Sequence, residues 1–165
     1  MKILVLDNYD SFTYNLVHIV RELGFGEAMD IYRNDKISLD DVEQYDKILL
    51  SPGPGIPEEA GIMPELIQRY APTKSILGIC LGHQAIGEAF GGELFNLGEV
   101  LHGIPMKTIL EETDPIFEGL PQEFMGARYH SWAVKRKGLE QFNIIATDEQ
   151  GEIMGIAHKK YDVKG

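Results

Sequence analysis

The chain has 165 residues, of which 44% are hydrophobic and 25% charged, and a formal net charge of −11 at pH 7. This composition is typical of a globular protein, and the length predicts one domain that buries about 70% of its unfolded surface. The negative charge argues against nucleic acid or an anionic membrane as partner, because either requires a concentrated basic face.

No apolar run reaches the roughly 20 residues that a membrane span needs, and Met1 and Lys2 lead into a predicted strand rather than a signal peptide. The single cysteine cannot form an internal disulfide, as is usual in a reducing compartment. We therefore expect a cytoplasmic protein that does not associate with membranes.

The first half of the chain alternates between buried strands and helices. The strands are predicted at 2–6, 28–32, 46–50 and 75–79, and the helices at 12–23, 39–44, 64–70 and from 81 to about 89. Ser11 is a candidate N-cap for the first helix, and Gly24 closes it. Such alternation predicts an α/β fold with a doubly wound, mostly parallel sheet and helices on both faces.

After Gly92 the pattern changes to short strands with alternating polar and apolar residues. They are predicted at 93–99, 103–110, 123–129, 133–137, 143–147 and 153–158, with a hairpin turn at 149–152. We expect these antiparallel strands to complete the same sheet and to add a small second one. Residues 1–165 then form a single domain.

Irregular loops follow three of the predicted parallel strands, at 7–11, 51–55 and 80–82. The carboxyl ends of the strands in a doubly wound sheet are where crossover loops converge and sites form. The three loops therefore predict one functional site.

Cys80 lies at the centre of the sequence Gly78-Ile79-Cys80-Leu81-Gly82, between a strand and a helix. Small residues two before and two after a nucleophile are what a tight strand-to-helix elbow requires. The helix dipole there would lower the pKa of the thiol, and the Leu81 N–H could donate to an oxyanion. A lone cysteine is more often a small buried hydrophobe, but core packing explains the paired glycines poorly.

The loop Ser51-Pro52-Gly53-Pro54-Gly55 offers a second oxyanion donor, because glycines leave room for a close backbone approach. Together with Cys80, this predicts acyl-transfer chemistry. A rigid turn without function is the alternative interpretation of the loop. No phosphate-binding motif is present, and the scattered histidines and carboxylates have no metal-ligand spacing, so we expect neither a cofactor nor a metal.

A cysteine nucleophile needs a base, usually a histidine that a third group orients. The candidates are His18, His83, His102, His130 and His158. His18 lies on the first helix, away from the strand ends, and His83 is so close to Cys80 along the helix that it would pack or cap there. His130 and His158 can reach the site, but neither has an identifiable partner. The residues alone therefore do not complete a catalytic dyad.

Four motifs together make the whole chain resemble a known family. They are 7–15 (DNYDSFTYN), 51–55 (SPGPG), 78–84 (GICLGHQ) and 128–131 (RYHS). The chain resembles the glutaminase subunits of anthranilate synthase and aminodeoxychorismate synthase, within the class I, triad-type glutamine amidotransferases. The first motif is typical of the branch that works with chorismate.

The resemblance implies that Cys80 attacks the side-chain amide of L-glutamine, giving a γ-glutamyl thioester and ammonia. It implies that the N–H groups of Leu81 and Gly55 form the oxyanion hole. The substrate-binding positions are Gly53, Pro54, Gly55, Gln84, Ser131 and Trp132. The loop Asn8, Tyr9, Asp10, Ser11, Phe12 and Thr13 would contact a chorismate-binding synthase subunit that receives the ammonia.

The sequence departs from the family at one point. In relatives, a Gln-Phe-His-Pro-Glu motif that supplies the catalytic His and Glu follows a segment like 157–165, and neither His130 nor His158 matches it. We expect the natural chain to continue past Gly165, and we expect residues 1–165 alone to be inactive as a glutaminase.

Two other functions are compatible with the sequence. A non-catalytic subunit of the same fold could dock to a synthase and stabilise it, in which case Cys80→Ala would leave binding intact. A hydrolase of another cysteine-elbow family is the third possibility, but it leaves residues 8–15 unexplained. The sequence does not separate the anthranilate from the aminodeoxychorismate pathway.

Overall fold

A computed structural model describes residues 1–98 and 103–165. One candidate base, His102, and residue 99 of a predicted strand lie outside these ranges. The strands, in chain order, are β1 (Ile3–Asp7), β2 (Met29–Arg33), β3 (Lys47–Leu50), β4 (Ser75–Gly78), β5 (Leu94–Asn96), β6 (Ile104–Leu110), β7 (Glu123–Arg128), β8 (Trp132–Val134), β9 (Phe142–Asp148), β10 (Ile153–His158) and β11 (Val163–Lys164). The α-helices are α1 (Thr13–Glu22), α2 (Met63–Tyr70) and α3 (Leu81–Ala89).

The main sheet has nine strands in the order β2-β1-β3-β4-β11-β10-β9-β6-β7. The pairs from β2 to β11 are parallel, and those from β11 through β10 and β9 to β6 and β7 are antiparallel. A separate antiparallel pair joins β5 to β8. The predicted fold class, including the small second sheet, is confirmed.

The side-chain alternation of β1 assigns its residues to two faces of the sheet. Leu4 and Leu6 belong to the larger core, which also contains buried residues of α2 and α3. Val5 belongs to a smaller cluster with Val17 of α1 and Met29 of β2. Helices thus cover both faces, as the βαβ pattern predicted.

The structure differs from the sequence-based expectations at three places. Ser11 is not the N-cap of α1: the helix begins at Thr13, and the Asp10 carboxylate accepts the Phe12 N–H at 2.7 Å. The segment Asp40–Gln44 is a 3₁₀-helix rather than an α-helix. The two-residue strand β11 is not among the strands that periodicity predicts, because so short a segment carries no periodicity.

Within the described ranges, no helix combines the length and apolarity that spanning a membrane requires. The β9–β10 hairpin turn is formed as expected. Gly151 has a φ of +82°, and the Asp148 carboxylate accepts the N–H groups of Gln150 and Glu152, both at 2.9 Å.

Truncating Leu66 tests the packing of α2 against the sheet. Its side chain is fully buried, so Leu66→Ala should lower the free energy of unfolding by about 2–5 kcal/mol. Ile19→Ala on the exposed side of α1 is the matched control and should change it by less than about 1 kcal/mol. Chemical denaturation monitored by circular dichroism measures both, and equal effects would contradict the assigned core.

Candidate active site

The turn at Cys80 is a strained strand-to-helix elbow. Cys80 has φ +52° and ψ −105°, a conformation that non-glycine residues rarely adopt. A Cβ at Gly78 would lie 2.4 Å from the Gly82 carbonyl carbon, and one at Gly82 would lie 2.6 Å from the Leu50 carbonyl oxygen. Both glycines are therefore required by close backbone contacts, which hold Cys80 between β4 and the first turn of α3.

The loop after β3 lies against this elbow. A Cβ at Gly53 would lie 2.6 Å from Asn8 Cβ and 2.8 Å from Leu81 Cδ2, so only glycine fits there. Gly55 has a φ of +74°, a region that favours glycine. These contacts bring the loop within reach of the first N–H of α3, which belongs to Leu81 and has no partner inside the helix.

A cavity of about 590 Å³ opens above the Cys80 elbow. Its walls come from the ends of β1, β3 and β4 and from the segment between β7 and β8. Every catalytic and substrate-binding position expected from the sequence lines it: Gly53, Pro54, Gly55, Cys80, Leu81, Gln84, Ser131 and Trp132. A larger groove of about 700 Å³ along residues 110–122 contains no cysteine or histidine.

Ser131 and Trp132 form one wall of this cavity, and two side chains hold the Trp132 carbonyl in place. The Trp132 carbonyl accepts from Gln84 Nε2 at 3.1 Å, and His130 Nδ1 lies 2.8 Å from the same oxygen. Arg128 donates from Nε to His130 Nε2 at 3.1 Å and forms a buried ion pair with Asp148. The neutral His130 with its proton on Nδ1 satisfies both contacts, and burial correspondingly lowers its pKa.

The expected lowering of the thiol pKa is wrong for this structure. Burial raises the pKa of Cys80, and the nearby Asp10 carboxylate raises it further. Desolvation and a like charge both disfavour the thiolate. The thiol is therefore protonated at neutral pH and needs a base to become a nucleophile.

Among the described residues, no histidine is hydrogen-bonded to Cys80 Sγ. His18 is exposed beside Glu22, and both ring nitrogens of His130 are engaged. His158 accepts two backbone N–H groups at Nδ1 and stacks on Tyr161. His83 lines a cavity of about 200 Å³ behind Cys80, and burial lowers its pKa to about 4.

The loop after β1 divides into buried and exposed residues. Asn8 and Thr13 are 2% and 0% exposed, and the Thr13 hydroxyl donates to Asp7 at 2.9 Å. Tyr9 and Phe12 are 45% and 41% exposed, and Phe12 packs against the ring of Tyr129. Any partner contact through this loop would use Tyr9, Asp10, Ser11 and Phe12, while Asn8 and Thr13 face inward.

The chain belongs to the class I glutamine amidotransferase family, because the sequence model described as "Glutamine amidotransferase class-I" matches residues 4–165. It is 43% identical over 166 residues to the "Aminodeoxychorismate/anthranilate synthase component 2" of Bacillus subtilis, covering 99% of this chain and 84% of that protein. It is 40% identical over 167 residues to the "Bifunctional protein TrpGD" of Thermotoga maritima, covering 99% of this chain but only 28% of that longer protein.

Among solved structures, a candidate GMP synthase protein from Thermoplasma acidophilum superposes with a TM-score of 0.86 at 27% identity. The match covers 99% of this chain and 81% of that one. The fold is therefore that of the family.

Sequence reasoning missed several residues of the cavity. Leu16, Ile79, Ala127 and Tyr129 also line it. Tyr129 stands inside the recognised 128–131 motif and Ile79 inside the 78–84 motif, but Leu16 and Ala127 are ordinary apolar residues whose position depends on the fold. No sequence signal short of the complete topology would have found them.

The raised thiol pKa predicts how Cys80 reacts with iodoacetamide. Because the thiolate is the reactive form, the rate should still rise about tenfold per unit from about pH 7 to about pH 9. Asp10→Asn removes one cause of the shift and should move the profile to lower pH. Intact-mass kinetics measure both rates, and a plateau below about pH 8 would contradict the raised pKa.

The buried histidines predict lower stability in acid. Because the pKa of His83 is lowered to about 4 in the folded state, the unfolded chain binds more protons than the folded chain between that value and about pH 6.5. The free energy of unfolding should therefore fall as the pH drops through this window. His83→Met should weaken this dependence, whereas His18→Gln on the exposed face of α1 should not; denaturation series at several pH values compare them.

Proposed function

We propose that this protein is the glutaminase component of a chorismate-dependent synthase. Cys80 attacks the side-chain amide carbon of L-glutamine, the C–N bond breaks, and ammonia leaves with a γ-glutamyl thioester on the enzyme. Water then hydrolyses the thioester, which gives glutamate and restores the thiol. The observation that carries this proposal is the single cavity in which the elbow, the Gly53–Gly55 loop and the Ser131–Trp132 wall meet.

The oxyanion of each tetrahedral intermediate would be stabilised by the N–H groups of Leu81 and Gly55. The Leu81 N–H is at the positive end of α3, where backbone donors are unpaired. Such preorganised donors typically contribute a factor of about 10²–10³ to the rate. Gln84 and the backbone of Ser131 and Trp132 would hold the amino-acid end of glutamine.

The general base is the part that the described residues do not supply. The resemblance assigns it to a His-Pro-Glu motif that follows a position equivalent to Gly165. Gly165 lines the small cavity behind Cys80, because β11 runs parallel to β4 and ends at the same edge of the sheet. A base at this end of β11 would be next to the thiol. Residues 1–165 alone should therefore show little glutaminase turnover.

The ammonia acceptor would be a chorismate-binding synthase subunit. The Bacillus subtilis relative is named as component 2 of both aminodeoxychorismate and anthranilate synthase, so one protein can bear both names. Phe12 lines the cavity, and its exposed ring and that of Tyr9 in the same loop offer a suitable surface for such a partner. Docking would keep ammonia out of water, where it becomes unreactive ammonium.

Labelling with a diazo-ketone analogue of glutamine tests the proposal. The protein should gain one adduct on Cys80 faster than it reacts with an equal concentration of iodoacetamide, because the cavity binds the glutamine moiety. Cys80→Ser should abolish the adduct, and excess L-glutamine should slow its formation. Peptide mapping by mass spectrometry gives the site.

A different result would support the rival function. If the analogue reacts no faster than iodoacetamide, yet the wild type and Cys80→Ala bind a chorismate-dependent synthase equally well, the chain is a non-catalytic docking subunit.

A further inference from the structure

Three buried polar side chains meet beneath the active-site loops. Asn8, Asn34 and Ser51 follow β1, β2 and β3, and their exposed fractions are 2%, 6% and 0%. Asn34 is absent from the rim of the Cys80 cavity. Buried amides are costly unless every donor and acceptor is satisfied, so their arrangement requires an explanation.

The three side chains form a directional chain of hydrogen bonds. Asn34 Nδ2 donates to Asn8 Oδ1 at 3.0 Å, and Asn8 Nδ2 donates to the Ser51 carbonyl at 2.8 Å. The Asn8 backbone N–H donates to Ser51 Oγ at 2.9 Å, and that hydroxyl donates to the Pro52 carbonyl at 2.7 Å. The Asn34 carboxamide therefore fixes the orientation of the Asn8 amide, which holds the Ser51 carbonyl. The Ser51 hydroxyl, bonded to the Asn8 N–H, holds the Pro52 carbonyl.

Asn34 is itself firmly placed. Its N–H donates to the Asp7 carbonyl at 3.0 Å, and its carbonyl accepts from the Ile62 N–H at 3.1 Å. Gly61 packs so closely that a Cβ there would lie 2.4 Å from the Asn34 carbonyl oxygen. Asn34, where this series of hydrogen bonds begins, is thus held firmly by its neighbours. The loop 51–55 lies at the other end of the series.

The loop depends on Asn8 through packing as well. A Cβ at Gly53 would lie 2.6 Å from Asn8 Cβ and 2.7 Å from the Asn8 carbonyl oxygen. A shift of Asn8 must therefore move Gly53 and, with it, the Gly55 N–H.

The exposed side chain of Tyr9 contacts residues that are next to Asn34 in sequence, and Tyr9 itself is next to Asn8. Tyr9, which follows Asn8, donates its hydroxyl to Asp35, which follows Asn34. The Arg33 guanidinium lies 4.7 Å from the centre of the Tyr9 ring. A contact that moves Tyr9 therefore acts on both ends of the Asn34–Asn8 hydrogen bond.

We propose that Asn34 is a positioning residue that sets the Gly53–Gly55 loop through Asn8 and Ser51, and that contact at Tyr9 reaches the loop by this route. The functional part of the inference rests on the proposed glutaminase function, since it concerns the oxyanion donor at Gly55. Asn34 touches neither the cavity nor the thiol.

Hydrogen exchange tests the positioning without requiring activity. Asn34→Asp keeps the shape but replaces the donor to Asn8 Oδ1 by an acceptor, so the Asn8 amide loses its orientation. The backbone amide of Asn8, which donates to Ser51 Oγ at 2.9 Å, should exchange about tenfold faster, the factor of roughly one net hydrogen bond. Asn143→Asp on β9 makes the same chemical change far from the loop and should leave exchange of the Asn8 amide unchanged. Unchanged exchange in folded Asn34→Asp overturns the proposal.

A second measurement connects the loop to the chemistry. The diazo-ketone glutamine analogue should label Asn34→Asp at least about fivefold more slowly than the wild type, while iodoacetamide labels both within about twofold. Iodoacetamide needs no oxyanion hole, so this split separates loop position from general damage. Equal analogue rates in a variant whose Asn8 amide exchanges faster would overturn the link to the oxyanion donor.

The two measurements distinguish failure of the proposed glutaminase function from failure of the positioning role of Asn34. If the wild type does not react selectively with the analogue, the proposed glutaminase function is wrong, while the exchange data still decide whether Asn34 positions the loop. If Asn34→Asp does not fold, Asn34→Ala replaces it; this neutral variant also removes the donor and should give a similar increase in exchange.

For the Tyr9 route, Tyr9→Phe removes the hydroxyl bond to Asp35. It should raise exchange of the Asn8 amide at least about twofold, and no change overturns this part of the proposal.

Discussion

The close backbone contacts at the Cys80 elbow are the constraint on which the site depends. Gly78, Gly82 and the Leu50 carbonyl approach so closely that no side chain fits among them. This packing joins β3, β4 and α3 and holds Cys80 at a positive φ that an isolated peptide would avoid. Strain of this kind persists only where surrounding structure enforces it, and here the larger hydrophobic core beneath the elbow does so.

The electrostatics of the site disfavour the thiolate form of Cys80. Burial and Asp10 keep the thiol protonated, and His130 is occupied in holding the Trp132 carbonyl. The buried Arg128–Asp148 ion pair links that histidine to the β9–β10 hairpin, so the antiparallel half of the sheet supports one wall of the cavity. The parallel half carries Cys80 and the loop 51–55. The cavity therefore joins the two halves of the sheet.

The sequence was informative where local chemistry is distinctive. The glycines around Cys80 and in the loop 51–55 predicted an elbow and a close approach, and the structure has both. It was misleading where tertiary burial decides: the helix dipole suggested a reactive thiolate, but desolvation dominates. Ser11 resembled an N-cap, yet Asp10 accepts the Phe12 N–H because the loop enters α1 from the buried Asp7 side.

Sequence alone was enough to predict the α/β class and the three converging loops, because hydrophobic periodicity and glycine spacing are local properties of the chain. The family came from a resemblance carried by four short motifs. The remaining features depend on tertiary contacts. The placement of β11 beside β4, the occupied nitrogens of His130 and the Asn34–Asn8–Ser51 hydrogen bonds join residues that are distant in sequence. Such contacts arise from strand order and burial, which no short stretch of sequence encodes.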